Sequence, residues 1–235
     1  MPIDTGTGTG TPAAAAHAVT AAALLADARV ALDDVAEANW SDDELLVFLA
    51  EAVREYSQHL PRASETTLAA LAGTRRYSLP WDTTAVIAVE YPAGMEPPAR
   101  LRRRRYKSPA FEAARHYDVL LSHDLTAPPA LLLSFDPTAG ETIAVRYLRP
   151  HESSLTAGTY LTVRADHHHV LVQYILFAAA RRLQSREQTT PTNNSSLLMG
   201  QLAANARRLE LAYLNALNRI LYHRLGEGEA VGWGE

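Results

Sequence analysis

Trp40-Ser-Asp-Asp-Glu-Leu-Leu-Val-Phe-Leu-Ala-Glu-Ala-Val-Arg-Glu-Tyr-Ser-Gln-His-Leu-Pro61 is the stretch from which the fold is read outward. Ser41 and Glu44 stand three residues apart as a capping box, each side chain satisfying the other's orphan backbone donor. Trp40 outside the helix and Leu45 four positions into it form the matching hydrophobic staple. Leu45, Phe48, Leu49, Ala52, Val53, Tyr56 and Leu60 then recur at helical spacing and make one apolar face. Pro61 ends the helix, because it can neither donate a backbone hydrogen bond nor let its predecessor stay helical.

Upstream, Thr11-Pro12 reads as an N-cap and first helical position. From there to about Ala38, Ala and Leu dominate without Gly or Pro, which predicts a long first helix. Thr5-Gly-Thr-Gly-Thr-Gly10 has no apolar side chain to bury and reads as an arm.

Downstream the period changes at Gly73. Tyr77 and Leu79, then Val86, Ile87, Val89 and Tyr91, form short β-type runs punctuated by Pro80, Asp82 and Pro92. Tyr117 to Leu121 and Leu131 to Phe135 are two more, and Tyr160 to Val163 is a further strand candidate. Thr142 to Leu148 alternates, with Ile143, Val145 and Tyr147 on one face. The turn chemistry of Asp136-Pro-Thr-Ala-Gly140 predicts a hairpin between the runs on either side of it.

Helical texture returns at Asp166, an N-cap candidate. The segment to about Leu183 is apolar nearly all round, which predicts a place at the centre of a helical core. After a polar break from Gln188 to Ser196, the last helix carries one stripe of Leu202, Ala206, Leu209, Tyr213, Ala216 and Ile220. Leu214, Leu217, Leu221 and Leu225 make a second stripe, displaced around the axis. One face suffices for an intramolecular core, so the second stripe predicts burial against a neighbour. Gly226 stops the helix, and a polar tail with Trp233 comes after it.

The 235 residues suffice for one large domain or one with an elaborated insertion, and 47% apolar content is ordinary for a globular chain. A net charge of −4 argues against a general polyanion binder, and the absence of Cys excludes disulfides and thiolate metal sites. The N-terminus has neither the basic start nor the apolar core of a signal peptide. The most apolar run, Val170 to Ala180, is about half the ~20 residues a membrane-spanning helix needs. No membrane association is expected.

Two local features invite a functional reading. Arg100-Leu-Arg-Arg-Arg-Arg-Tyr-Lys107, with Arg102, Arg103, Arg104 and Arg105 at its centre, could track a phosphate backbone while Tyr106 stacks on a base. The acidic balance of the rest of the chain and the lack of a nucleic-acid motif favour instead a strand or loop edge that meets acidic protein surface on a neighbouring subunit, or solvated charge that discourages edge pairing. His167-His-His169 is a poor metal site. Adjacent helical residues point about 100° apart, and helical ligand pairs use spacings of three or four. No metal or cofactor is expected. No Walker loop, dinucleotide fingerprint, nucleophile elbow or HExxH is present, so no enzymatic activity is expected. The clusters Asp33-Asp34, Asp42-Asp43-Glu44 and Glu51-Glu55 read as first-turn charges and solvated faces. His116 and His123 bracket a strand without an assigned role.

The order of these features resembles the head-to-tail adaptor, or connector, proteins of tailed bacteriophages. The resemblance rests on Asn39 to Leu46 continuing through Glu51 to Tyr56 and Leu60-Pro61, and on Gly73-Thr-Arg-Arg-Tyr-Ser-Leu-Pro80 with its following Val-Ile-x-Val-Glu strand. The Tyr174 to Ala180 helix, the polar break and the long final helix complete it, so that it spans roughly residues 28 to 225. The long Ala-rich first helix, the Arg run and the Gly-rich arm depart from that pattern.

The resemblance implies an α+β fold in which a helical bundle of about four main helices carries an inserted antiparallel β-rich domain. The corresponding segments are an arm over 1–10, helical parts over 11–74 and 166–225, the β-rich insertion over 75–165, and a tail over 226–235. It further implies a virion protein of the neck, assembled in the host cytoplasm, that performs no chemistry. Copies would form a ring, usually a dodecamer, beneath the portal protein. That ring would extend the channel through which packaged DNA passes without sequence-specific binding, and would dock the next neck or tail protein. Expected partner-interface residues are Leu214, Leu217, Leu221, Trp233 and Arg102 to Arg105. The rival readings are a nucleic-acid-binding module resting on Arg100 to Lys107 and a metal-dependent enzyme resting on the His triplet.

Overall fold

The structure is a computed structural model, and it describes residues 19–37, 39–121, 127–189 and 195–226. Among them it is α+β, with four α-helices and two sheets. The described residues divide into two compact units, one within 1–53 and 152–222 and the other within 54–151 and 223–235.

In the first unit, α1 spans Ala21–Leu32 and is capped by Thr20, whose hydroxyl accepts from the Ala23 N–H at 3.3 Å. Thr11 and Pro12 lie outside the described residues. The helix stops well short of Ala38. Asp33 takes the left-handed conformation at φ 55°, its N–H donates to Val30 O, and the Asp34 N–H donates to Arg29 O. This pair of bonds is the Schellman ending, normally signalled by Gly and here built on Asp, one of the few residues that tolerate the conformation.

The turn beyond α1 is built on a buried ionic knot. Asp34, 2% exposed, accepts from the backbone N–H groups of Asn39 and Trp40 at 2.9 and 3.1 Å. Arg29 donates to the Asp34 carboxylate at 3.3 Å, the Trp40 carbonyl at 3.0 Å and the Asp42 carboxylate at 2.6 Å. The hydrogen bond to Asp42 holds the guanidinium above its ordinary pKa, so it stays charged. Asp34 is therefore not a solvated helix-end charge, as its sequence neighbourhood predicts, but the acceptor that fixes the turn from α1 into α2.

Helix α2, Asp42–His59, opens on the expected capping box: the Glu44 N–H donates to Ser41 Oγ at 3.2 Å and the Ser41 N–H to Glu44 Oε2 at 3.3 Å. Trp40 and Leu45 are both buried, and Trp40 meets the Phe48 ring edge-on at 5.6 Å. Arg186 reaches back from the far end of α3 (His168–Thr189), bonding Glu44 and lying over the Trp40 ring at 4.7 Å. The Ser41 N–H first, and then Arg186, hold the Glu44 carboxyl below its usual range. That contribution is present above the ordinary carboxylate pKa and fades as pH falls through the lowered one. Ser41→Ala should cost about 0.5–2 kcal/mol in a denaturant titration, since it orphans an N-terminal N–H.

A 3₁₀ turn over Ala165–His167 precedes α3, and Asp166 pairs with Arg164 at 2.9 Å rather than capping the helix. Val170, Leu171, Ile175, Leu176 and Ala179 are buried, while Tyr174, Phe177 and Ala178 are only half-buried. The helix is apolar all round without being enclosed all round. Residues 160–163 add only an isolated bridge, Thr20 to Tyr160. The last helix, α4, spans Ser195–Gly226, and its Tyr213 packs edge-on against Tyr174 at 5.2 Å.

The second unit begins its strands earlier than the change of period at Gly73. β1, Arg62–Ala69, lies in the stretch to residue 74 that reads as helical; its Thr- and Ser-rich alternation is too polar to announce a strand. It pairs antiparallel with β7 (Thr142–Arg149), which also pairs with β3 (Ala85–Glu90), in the order β1-β7-β3. β2 (Arg76–Ser78), β4 (Arg102–Arg103), β5 (His116–Leu120) and β6 (Ala130–Leu133) form the other sheet, ordered β2-β6-β5-β4, with β4 parallel to β5.

The predicted hairpin across Asp136–Gly140 does not form, because β6 and β7 belong to different sheets. The turn residues instead tie the sheets together. Asp136 is paired with Arg75 at 2.8 Å, the Thr138 N–H donates to the Tyr91 hydroxyl at 2.6 Å, and Gly140 sits at φ 87°. A register shift between Val86 and Ala88 leaves Ile87 facing out and puts Val86 and Val89 inward together. Tyr77, Val89, Tyr117, Leu131, Leu133, Ile143, Val145 and Tyr147, drawn from both sheets, close one apolar core.

Candidate functional site

The basic run forms the edge of the four-stranded sheet. Arg102 and Arg103 pair with His116 and Tyr117 of β5, and the Arg104 N–H donates to the Tyr117 carbonyl at 2.8 Å. Asp118 collects the run. It accepts from the Tyr106 N–H at 2.8 Å and lies 3.6 Å from the Arg103 guanidinium, while Arg100 is 3.6 Å from Glu90. Arg102, Arg104, Arg105 and Lys107 are exposed and have no carboxylate partner among the described residues. Tyr106 stands edge-on to Phe111 at 5.8 Å. All six cations of the run face water; Arg100 and Arg103 do so with a carboxylate 3.6 Å away, the other four with none among the described residues.

The three histidines take separate partners. His168 Nε2 lies 3.2 Å from the Val163 carbonyl, His169 Nδ1 lies 2.9 Å from the Asp166 carbonyl, and His167 faces the Asp166 carboxylate at 3.7 Å. Among the described residues, no three His, Cys, Asp or Glu side chains converge as a metal would require. His116 is buried, its Nδ1 3.1 Å from the Phe111 carbonyl, and serves the loop that returns from the Arg run. His123 and Trp233 lie outside the described residues.

The second stripe of α4 splits. Leu217 is 3% exposed and already enclosed by its own subunit, Leu221 is half-buried, and Leu214 is 41% exposed. The apolar surface that α4 turns to water is instead Leu211, Leu214 and Tyr222, the last 73% exposed. A groove that the sequence does not announce lies between α2 and α3 in the same unit. It has a volume of about 550 Å³, with Val47, Phe48, Tyr174, Phe177 and Ala178 along it, Glu44 and Glu51 on the α2 lip, and Arg181 and Arg182 on the α3 lip. Its only signal is the all-round apolarity of α3, which by itself reads as central burial.

The family model described as SU10 adaptor protein matches residues 19–228, which takes in every described residue. The chain belongs to the SU10 adaptor protein family. This is a family of phage head-to-tail adaptors, so the chain is a structural component of a bacteriophage. No curated protein matches the adaptor. Among the described residues of the adaptor, no helix is long and apolar enough to cross a membrane.

Proposed function

We propose that this adaptor is the subunit of a ring, twelvefold in the complete particle, that sits beneath the portal, extends the DNA channel and docks the next neck or tail protein. The observation that carries the reading is the family match over residues 19–228. Three features support it. The adaptor exposes apolar side chains on α4, it holds an open groove between α2 and α3, and it turns four unpaired cations outward at a sheet edge. In this reading the helical unit is the bundle, the β-rich unit is its insertion, assembly takes place in the host cytoplasm, and the finished protein resides in the virion neck. The test is to mix purified adaptor with portal-bearing capsids and image the vertex. A ring of adaptor density under the portal supports the reading, and bare portals at saturating adaptor contradict it.

The exposed cations favour one more specific role. Arg102, Arg104 and Arg105 would meet acidic protein surface on a neighbour, setting orientation and registry more than affinity. Arg102→Ala, Arg104→Ala and Arg105→Ala combined should leave the melting temperature within a few degrees of wild type and reduce assembly onto capsids about tenfold or more. The second reading, a nucleic-acid contact through Arg100 to Lys107, draws on the same exposure. If the triple variant assembles normally but releases packaged DNA, or if the isolated wild-type chain binds DNA with a steep salt dependence, the DNA reading replaces the protein one.

A further inference from the structure

We propose that the outward strip of α4 in one copy, formed by Leu211, Leu214 and Tyr222, lies in the α2–α3 groove of the next copy; this rests on the ring reading above and names its repeating contact. A ring needs two different surfaces on each subunit that fit one another, since a heterologous contact is what propagates around an axis. Both surfaces here belong to the first unit. One is a concave apolar site of about 550 Å³ between two helices. The other is a convex helical strip whose Leu211 and Leu214 are 46% and 41% exposed.

The strip cannot fill the groove of its own chain. Tyr213 is the α4 residue that meets Tyr174 in the groove wall, and at about 100° per residue Leu211 lies roughly 160° around the axis from it. The strip therefore faces away from its own α3. Leu211, Leu214, Asn218 and Tyr222 fall within roughly 80° of one another, which is the width of stripe that helix-in-groove recognition uses.

Charge then fixes the direction in which the docked helix runs. Arg208 and Arg219 lie about 60–80° to one side of Leu211, and Glu210 about 100° to the other. The groove has one acidic and one basic lip. On the α2 lip Arg186 holds Glu44, whereas Glu51 has no hydrogen-bonding or ionic partner among the described residues. Arg219 likewise has none, and it is exposed. Across the groove Arg182 is open, but Glu210 is already held by Arg207 at 2.6 Å, so the Glu51 side carries the charge match. With the basic flank of α4 against the α2 lip, Glu210 is brought to the Arg181–Arg182 lip. The reverse direction sets Arg208 and Arg219 against the Arg181–Arg182 lip, like charge against like.

The sequence has no cysteine, so engineered pairs report this contact cleanly in the full-length chain. Val47→Cys with Leu214→Cys, oxidised mildly at assembling concentration or on portal-bearing capsids, should give a ladder of covalent dimers, trimers and larger species. A mixture of the two single variants should give dimers and nothing larger. Glu51→Arg or Arg219→Glu alone should lower the oligomer fraction about tenfold, and the double reversal should restore it. A chain that oligomerises by native mass spectrometry without forming the ladder overturns this contact while leaving the ring reading intact. So do cross-links formed only within one chain, and cross-links from either cysteine to the portal protein alone. Absence of any oligomer, both in solution and on capsids, overturns the contact and the ring reading together.

Discussion

Asp34→Ala should destabilise the adaptor by about 3–5 kcal/mol, because it strands a buried arginine. Arg29 has a side chain only 8% exposed, and its partners are the Asp34 carboxylate, the Trp40 carbonyl and Asp42. The Asp42 side chain is 64% exposed, so water can replace that partner cheaply, whereas nothing replaces Asp34 inside the turn. The loss also orphans the N–H groups of Asn39 and Trp40, which Asp34 accepts. Against a total stability of about 5–15 kcal/mol for an ordinary domain, this is a large fraction. Urea titration should show a midpoint lowered by more than about 1 M at unchanged slope. Asp42→Ala should cost about 1 kcal/mol or less. Equal losses in the two variants would contradict the assignment of Asp34 as the buried centre of the knot.

Removal of everything after Leu225 should have the opposite profile: unchanged stability and lost attachment. Gly226-Glu-Gly-Glu-Ala-Val-Gly-Trp-Gly-Glu235 carries four glycines in ten residues, with only Val231 and Trp233 able to bury much apolar surface. We propose that Trp233 is an anchor that docks in an apolar pocket on the portal, tryptophan being the residue type most enriched among binding hot spots. Truncation after Leu225, or Trp233→Ala alone, should weaken binding to portal-bearing capsids by about 2 kcal/mol or more, roughly thirtyfold. Co-sedimentation with capsids measures this directly. Normal attachment of the truncated chain would remove the anchor from the account.

The parts of this fold legible in the sequence are those where local chemistry and tertiary structure agree. Ser41 and Glu44 announce the start of α2 because capping is decided within four residues. Ile143, Val145 and Tyr147 announce β7 because that strand alternates between core and outer face. The end of α1 is hidden because its left-handed turn falls on Asp33 rather than on a glycine. β1 is hidden because the half-buried face of this edge strand is Arg62, Ser64, Thr66 and Leu68, too polar for its alternation to show in the sequence. The turn at Asp136–Gly140 looks like a hairpin, and only the pairing of β6 with β5 and of β7 with β1 reveals that it links two sheets.

The interface residues divide in the same way. The exposure of Arg102, Arg104 and Arg105 is legible from charge density alone, but the pairing of the likewise exposed Arg103 with Asp118 depends on a partner fifteen residues away. Leu214 and Leu217 are three residues apart on one helix and share an apolar face by spacing alone. The packing assigns Leu217 to the interior and Leu214 to solvent. The α2–α3 groove is invisible in the sequence because it depends on how far apart two helices sit, which no single helix encodes.

The most direct measurement is a cryo-electron reconstruction of the neck in the intact particle, with this chain traced in the density. The expected result is a ring of twelve copies directly beneath the portal, enclosing the DNA channel, with the next neck or tail protein docked on its far side. Density for this chain at any other position, or a neck in which a single copy makes no contact with the portal, would contradict it.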